Sequence, residues 1–336
     1  MSSEVLANVI RGNTVESVHR GHMIAVDGDG KVILSVGDPD AITYFRSSAK
    51  PLQALPLITS GAADEFGFSD EEIALACASH SGEQRHVRIA QLMLERIGLN
   101  EDYLRCGAHL PFYEKEAERM QRANEYPTQL HNNCSGKHAA MLAVAKHIGA
   151  DVVDYESPES PVQKEILKAV AQFCEVDESE IAIGIDGCAA PNFAVTVRQM
   201  ARSFTNLLSP PERFDDASKK AAARIVSAMA NNPVLIGGSE RLDTMLVQAA
   251  EGRIISKVGA DGVWLCGILP GELFPSGAAI ALKIEDGNDH RARPVVAVAV
   301  LKQLGVLSPD ALPELSPMPL KNRRGDTVGY VESRLF

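Results

Sequence analysis

Strand-like patterns stand at both ends of this 336-residue chain and helical periodicity fills its middle, which limits the fold more than any other feature. The first forty residues read as β structure. Residues 14–26 alternate imperfectly, Asp27-Gly28-Asp29-Gly30 supplies turn chemistry, and residues 31–36 return. Short apolar runs reappear at 253–258, 262–269 and 278–284, separated by glycine-rich turns. A helix over 294–304 and a last strand over 327–335 follow. In between, 3.6-residue spacing predicts helices over 84–97, 137–148, 161–174, 192–204 and 218–229. Ser160-Pro161 and Pro191-Asn192 look like helix N-termini. The expected architecture is α/β in a single domain over 1–336. An antiparallel sheet is drawn from both chain ends (roughly 1–40 and 253–336), with a central helical region over roughly 45–250. Ser209-Pro210-Pro211 is the best candidate hinge, and it equally suits the end of one helix and the start of the next.

Apolar residues make up 45% and charged residues 23%, as in an ordinary globular enzyme. The balance of 33 basic against 44 acidic residues gives −11, which disfavours nucleic-acid backbones and anionic membranes as partners. Glu4 stands where a secretory signal would carry a basic residue, and the apolar stretch 5–10 is too short for a signal core. The longest apolar run, 294–301, is far below a membrane span. Cysteines 77, 106, 134, 174, 188 and 266 are scattered rather than set in a disulfide framework, so a reducing, cytoplasmic location is expected.

Four segments could carry chemistry. In Arg46-Ser47-Ser48-Ala49-Lys50-Pro51, Ser47 and Lys50 stand three apart, so one helical turn sets hydroxyl beside amine. A lysine activates a serine if burial or a second cation depresses its pKa, and S-x-x-K is the nucleophile motif of β-lactamases and penicillin-binding proteins. The same letters also suit an N-cap serine and a solvated lysine. Pro51 should push Lys50 from helical angles, with a helix starting at Pro51. Cys77-Ala78-Ser79-His80-Ser81-Gly82-Glu83 suits close backbone approach to a ligand, or equally a helix cap at Ser81 with Glu83 in the acidic first turn. His131-Asn132-Asn133-Cys134-Ser135-Gly136-Lys137-His138, with Ile185-Asp186-Gly187-Cys188, offers two thiols for a soft metal, or two thiols that only pack, or, in its Asn-Cys-Ser-Gly-Lys run, backbone amides and Lys137 to cradle a substrate carboxylate. Ser256-Lys257-Val258-Gly259-Ala260-Asp261-Gly262 points a lysine into a cleft or leaves it in an ordinary turn. Gly237-Gly238-Ser239-Glu240 and residues 277–283 share that ambiguity.

Together these segments, with Glu16-Ser17 and His19-Arg20-Gly21, resemble the asparaginase II family, the rhizobial-type L-asparaginases, in order along nearly the whole chain. The resemblance implies a β-lactamase/penicillin-binding-protein-like fold, similar also to glutaminases, forming one catalytic domain. It implies hydrolysis of L-asparagine to aspartate and ammonia. It further implies two serine–lysine tandems, Ser47 with Lys50 and Ser79 with Lys257. A zinc site would be held by Cys134, Lys137 and Cys188, with Asp186 and His138 close by and Arg46 in the same substrate pocket. A homodimer is implied as well. The rivals are a β-lactamase-like or glutaminase-like hydrolase of another amide, amide hydrolysis centred on zinc, and a non-catalytic amino-acid sensor.

Overall fold

The computed structural model describes residues 2–335 and divides into two compact units. Among the described residues the strands are β1 (Glu4–Arg11), β2 (Thr14–Asp27), β3 (Val32–Val36), β4 (Ile42–Tyr44), β5 (Ala182–Ile185) and β6 (Pro191–Thr196). They continue with β7 (Ile254–Gly259), β8 (Val263–Ile268), β9 (Ala278–Ile284), β10 (Met318–Lys321) and β11 (Thr327–Ser333). The helices begin with α1 (Lys50–Gln53), α2 (Leu55–Thr59), α3 (Ala62–Glu65), α4 (Asp70–Ala76), α5 (Gln84–Arg96), α6 (Glu114–Arg122) and α7 (Ser135–Ile148). They end with α8 (Pro161–Cys174), α9 (Val197–Leu208), α10 (Asp216–Asn231), α11 (Pro233–Ile236), α12 (Leu242–Ala249) and α13 (Ala292–Gln303).

The first unit comprises Met1–Ser48, Val195–Ser209 and Met245–Phe336. Its antiparallel sheet runs β10-β11-β1-β2-β9-β8-β7, with β3 paired to β2. The termini meet as the sequence suggests, Val9 lying opposite Val331 where β1 pairs β11. Helix α9 packs on β2, β8 and β9, and α13 on β1 and β11. The Val-Ala repeat of α13 is buried from Ala292 to Val298, so it serves as a core helix rather than an amphipathic one. Strand β7 is buried along its whole length, Lys257 included.

The second unit comprises Ala49–Ala194 and Pro210–Thr244, so a unit boundary falls within Ser209-Pro210-Pro211. It is mostly helical. Helix α7 is buried from Ser135 to Ala145 and packs on α2, α3, α4, α5 and α8. Small residues permit this: a Cβ on Gly136 would stand 2.4 Å from Leu75 O, so α4 and α7 cross almost backbone to backbone. Helix α5 buries His86, Ala90, Met93 and Leu94, the expected 3.6-residue stripe. Helix α8 starts as expected, with Ser160 capping Val162 N and Pro161 in the first turn.

Two expectations need correction. Residues 191–196 form a strand, not the start of a helix over 192–204; Phe193 pairs with Ile183 of β5. The helix begins at Val197, where Thr196 and Gln199 close a reciprocal capping box. Lys50, expected outside the helix, is instead the first residue of α1 after the 3₁₀ turn Arg46–Ala49. Pro51 is tolerated because first-turn N–H groups have no partner in the helix.

Candidate active site

In the second unit the Lys50 amine, 1% exposed, reaches Ala78 O at 2.6 Å, Ser79 Oγ at 2.9 Å and Asn133 O at 3.2 Å. Two of these acceptors are carbonyls, which only accept. A neutral amine has two N–H groups and one lone pair. With both N–H groups given to the carbonyls, its lone pair falls to the Ser79 hydroxyl. The same cage also saturates a charged ammonium with three acceptors.

Ser79 opens a buried, non-helical turn. Its N–H donates to Ile236 O at 2.9 Å. His80 Nδ1 accepts from Gly82 N, so Nε2 carries the proton and donates to Ser135 Oγ at 2.9 Å. His86 stacks on His80 at 4.9 Å, accepts from Glu83 N through Nδ1, and donates from Nε2 to Val234 O. Burial pushes both histidines below their usual pKa, His80 far below. Held neutral and bonded at both ring nitrogens, they brace the turn. Ser81 does not cap α5: Glu83 is the N-cap, and Ser81 Oγ donates to its carboxylate at 2.9 Å.

The sulfur cluster also lies in the second unit. Cys134 precedes α7, and Cys188 sits in the tight turn closed by Asp186 N to Ala190 O and Ala189 N to Asp186 O. Lys137 Nζ donates to Cys188 Sγ at 3.0 Å. The hydrogen bond from Cys134 and the Lys137 charge hold the Cys188 thiol far below its ordinary range. Cys134 shifts the other way, its thiol raised by that hydrogen bond and by burial. Burial works against the Lys137 ammonium, but the facing sulfurs outweigh it and raise its pKa. Asp186, half-buried, accepts from Gly187 N and adds negative charge near Lys137. His138 is fully buried; its Nδ1 bonds the Tyr155 hydroxyl at 2.7 Å, and that hydroxyl accepts from Arg105 N. Its Nε2 leans toward Cys188 without reaching hydrogen-bond geometry.

Two sulfurs and one amine nitrogen thus converge, donors that suit a soft cation once the lysine gives up its proton. Among the described residues no three His, Cys, Asp or Glu side chains could hold a metal together. Lys137 is the nitrogen beside the two sulfurs.

The first unit holds Arg46, Ser47 and Lys257. Gly259, at the end of β7, lets the strand pass against the Arg46–Ala49 turn; a Cβ there would stand 2.4 Å from Phe45 O. Ser48 Oγ is tied back to Phe45 O at 2.7 Å, whereas Ser47 is half-buried. Arg46 has φ 52°, a left-handed conformation costing a non-glycine residue roughly 1–2 kcal/mol, and bonds Asp261 Oδ2 at 3.0 Å. Lys257, fully buried, donates to Val258 O at 2.9 Å. Tyr155 escapes sequence reasoning, and Asn133 and Ser135, though inside a segment singled out above, are given no role of their own there, because each matters through a contact made far along the chain. No local signal marks them.

The L-asparaginase II family profile matches residues 7–333. No curated protein matches the chain. Among solved structures it is loosely similar to a Bacillus subtilis glutaminase in covalent complex with 5-oxo-L-norleucine, at 14% identity over 86% of this chain and 89% of that one, TM-score 0.44. A β-lactamase from Mycobacterium bovis matches at 15% identity over 84% of this chain and 94% of that one, TM-score 0.42. With the family profile spanning nearly every residue, the chain belongs to the L-asparaginase II family.

Proposed function

We propose that the protein hydrolyses L-asparagine to aspartate and ammonia through a serine acyl-enzyme, a specific form of the amidohydrolase chemistry of its family. The observation that carries this reading is the buried Lys50 amine, held by two carbonyls beside the Ser79 hydroxyl and three residues after Ser47 in the chain. Of the two serines, Ser47 is half-buried and Ser79 is 3% exposed. The attacking hydroxyl must meet substrate, so Ser47, three residues before Lys50 on one helical run, is the nucleophile, and Ser79 relays its proton.

Ser47 Oγ bonds the side-chain amide carbon as its proton passes to neutral Lys50; that proton then goes to the departing nitrogen, which leaves as ammonia. Water attacks the ester, and Lys50 takes its proton in turn. Lys257, with Ser79, relays protons or orients the nucleophile. Arg46 pairs with the substrate α-carboxylate, exchanging Asp261 for it, and Asp186 takes the α-ammonium. Cys134, Lys137 and Cys188 would hold zinc, which when bound supplies a Lewis-acidic charge beside the pocket; Asp186 and His138 lie close by. We infer a homodimer from family membership alone.

Ammonia release by the purified protein from asparagine and glutamine, and ring opening of a chromogenic β-lactam read by its absorbance, compared at equal enzyme, test the substrate. Asparagine should give the highest kcat/KM. Preference for either other amide would replace the substrate, and asparagine that stabilises the protein thermally yet stays intact would favour a sensor.

A further inference from the structure

The Ser79–Glu83 turn contains a group the mechanism above does not use. Glu83 is 5% exposed, and a carboxylate so buried persists only when densely hydrogen-bonded. It accepts from Ser239 N at 2.6 Å, Ser81 Oγ at 2.9 Å and Ser239 Oγ at 3.0 Å, and its Oε2 lies 3.2 Å from Arg85 Nε. Burial would raise its pKa, yet the Ser239 and Ser81 bonds outweigh burial and hold it below the ordinary carboxylate range.

These bonds join two segments. Ser79 N to Ile236 O fastens the turn at one end, and Glu83 to Ser239 fastens it at the other. Between them the chains touch so closely that a Cβ on Gly238 (φ 115°) would stand 1.9 Å from Ser81 Oγ and 2.8 Å from Glu83 Oε1. The far side is closed by Thr244 Oγ1, whose single proton is shared between Gly238 O at 2.7 Å and Pro233 O at 2.9 Å. Residues 236–239 therefore form a rigid backing for the turn that carries Ser79.

We propose that Glu83 is a positioning residue whose carboxylate clamps the Ser79–Glu83 turn to the 236–239 segment and so sets Ser79 Oγ against the Lys50 amine. The proposal rests on the serine–lysine reading above. Glu83 touches no reacting atom and acts through Ser79. Glu83→Gln keeps the shape but turns an NH₂ toward a donor of Ser239. Ser239→Ala removes one bond and leaves the backbone one.

Steady-state kinetics and hydrogen–deuterium exchange on the full chain, comparing wild type, Glu83→Gln, Ser239→Ala and Arg85→Gln, test this. Glu83→Gln should lose about 100-fold in kcat, the scale of an ångström's misplacement, with KM within about threefold. Ser239→Ala should move kcat in the same direction by less, and amide protection should fall over both 79–83 and 236–239. Arg85→Gln, which removes only an exposed partner, should behave as wild type. A folded Glu83→Gln with wild-type kcat overturns the proposal, as does unchanged protection in both segments. Should Glu83→Gln fail to fold, a Ser239→Ala protein with wild-type kcat and exchange overturns it alone. A wild type that releases no ammonia from any amide would sink the functional reading instead, and the exchange result would still decide the clamp.

Discussion

At the scale of single residues, the site depends on protons that have one place to go. Lys50 is enclosed by two carbonyls and a hydroxyl, which lets a neutral amine take only one orientation. Lys50→Arg keeps the charge, but a guanidinium cannot act as a base, so turnover should fall by at least about 100-fold in a folded protein. Ammonia assays beside a circular dichroism spectrum check this, and an active arginine variant removes Lys50 as the base. The sulfur pair carries a second prediction. Protein purified from zinc-supplemented medium should hold about one zinc per chain, as a single site requires. Joint replacement of Cys134 and Cys188 by serine should remove it and weaken asparagine binding more than it lowers the melting temperature. Protein without zinc that keeps full activity in chelator would mean that these cysteines only pack.

At the scale of elements, the turn bearing Ser79 and the start of α7 are placed by the crossing of α4 and α7. Gly136→Ala tests the closeness of that crossing. Alanine would gain at most about 1 kcal/mol of helix propensity. Its methyl would sit 2.4 Å from Leu75 O, a backbone atom that cannot turn aside, and overpacking costs typically 1–3 kcal/mol. The clash wins, so the denaturation midpoint should drop with an unchanged m-value. A midpoint at or above wild type would show that the helices part freely. Helices with regular stripes were legible in the sequence: α5, α8 and α10 lie within a few residues of the expected ranges, as does α13, which an apolar run rather than a stripe marks. The start of α9 was not, because Pro191-Asn192 mimics a helix N-terminus and only pairing with β5 makes it a strand. Likewise Ser81 and Glu83 fit a cap locally, and nothing near them announces that Ser239 will complete the carboxylate's shell. The S-x-x-K spacing was visible, whereas the bond between Lys50 and Ser79 depends on α1 meeting the end of α4.

At the scale of the whole molecule, the closing of a sheet by both termini followed from where strand patterns lay, and the pairing of β1 with β11 accords with it. Among the described residues no helix is long and apolar enough to cross a membrane. Stability should depend on pH through buried histidines. His80 and His86, and the less buried His22 and His131, have pKa values below the unfolded value near 6.5, chiefly through burial. The unfolded chain then binds more protons, so stability is full above about pH 6.5 and declines as pH falls toward the folded values. Melting temperatures at pH 7.5 and 5.5 should differ in that direction, before the carboxylates titrate. A flat profile would contradict the neutral assignment. The central claim is that a serine in this chain carries the acyl group of asparagine, and that the serine is Ser47. Acid-quenching the working enzyme and locating the aspartyl ester by peptide mass spectrometry tests it directly. The ester should lie on the peptide containing Ser47 and vanish in Ser47→Ala; an ester on Ser79, or steady ammonia release from Ser47→Ala, would contradict it.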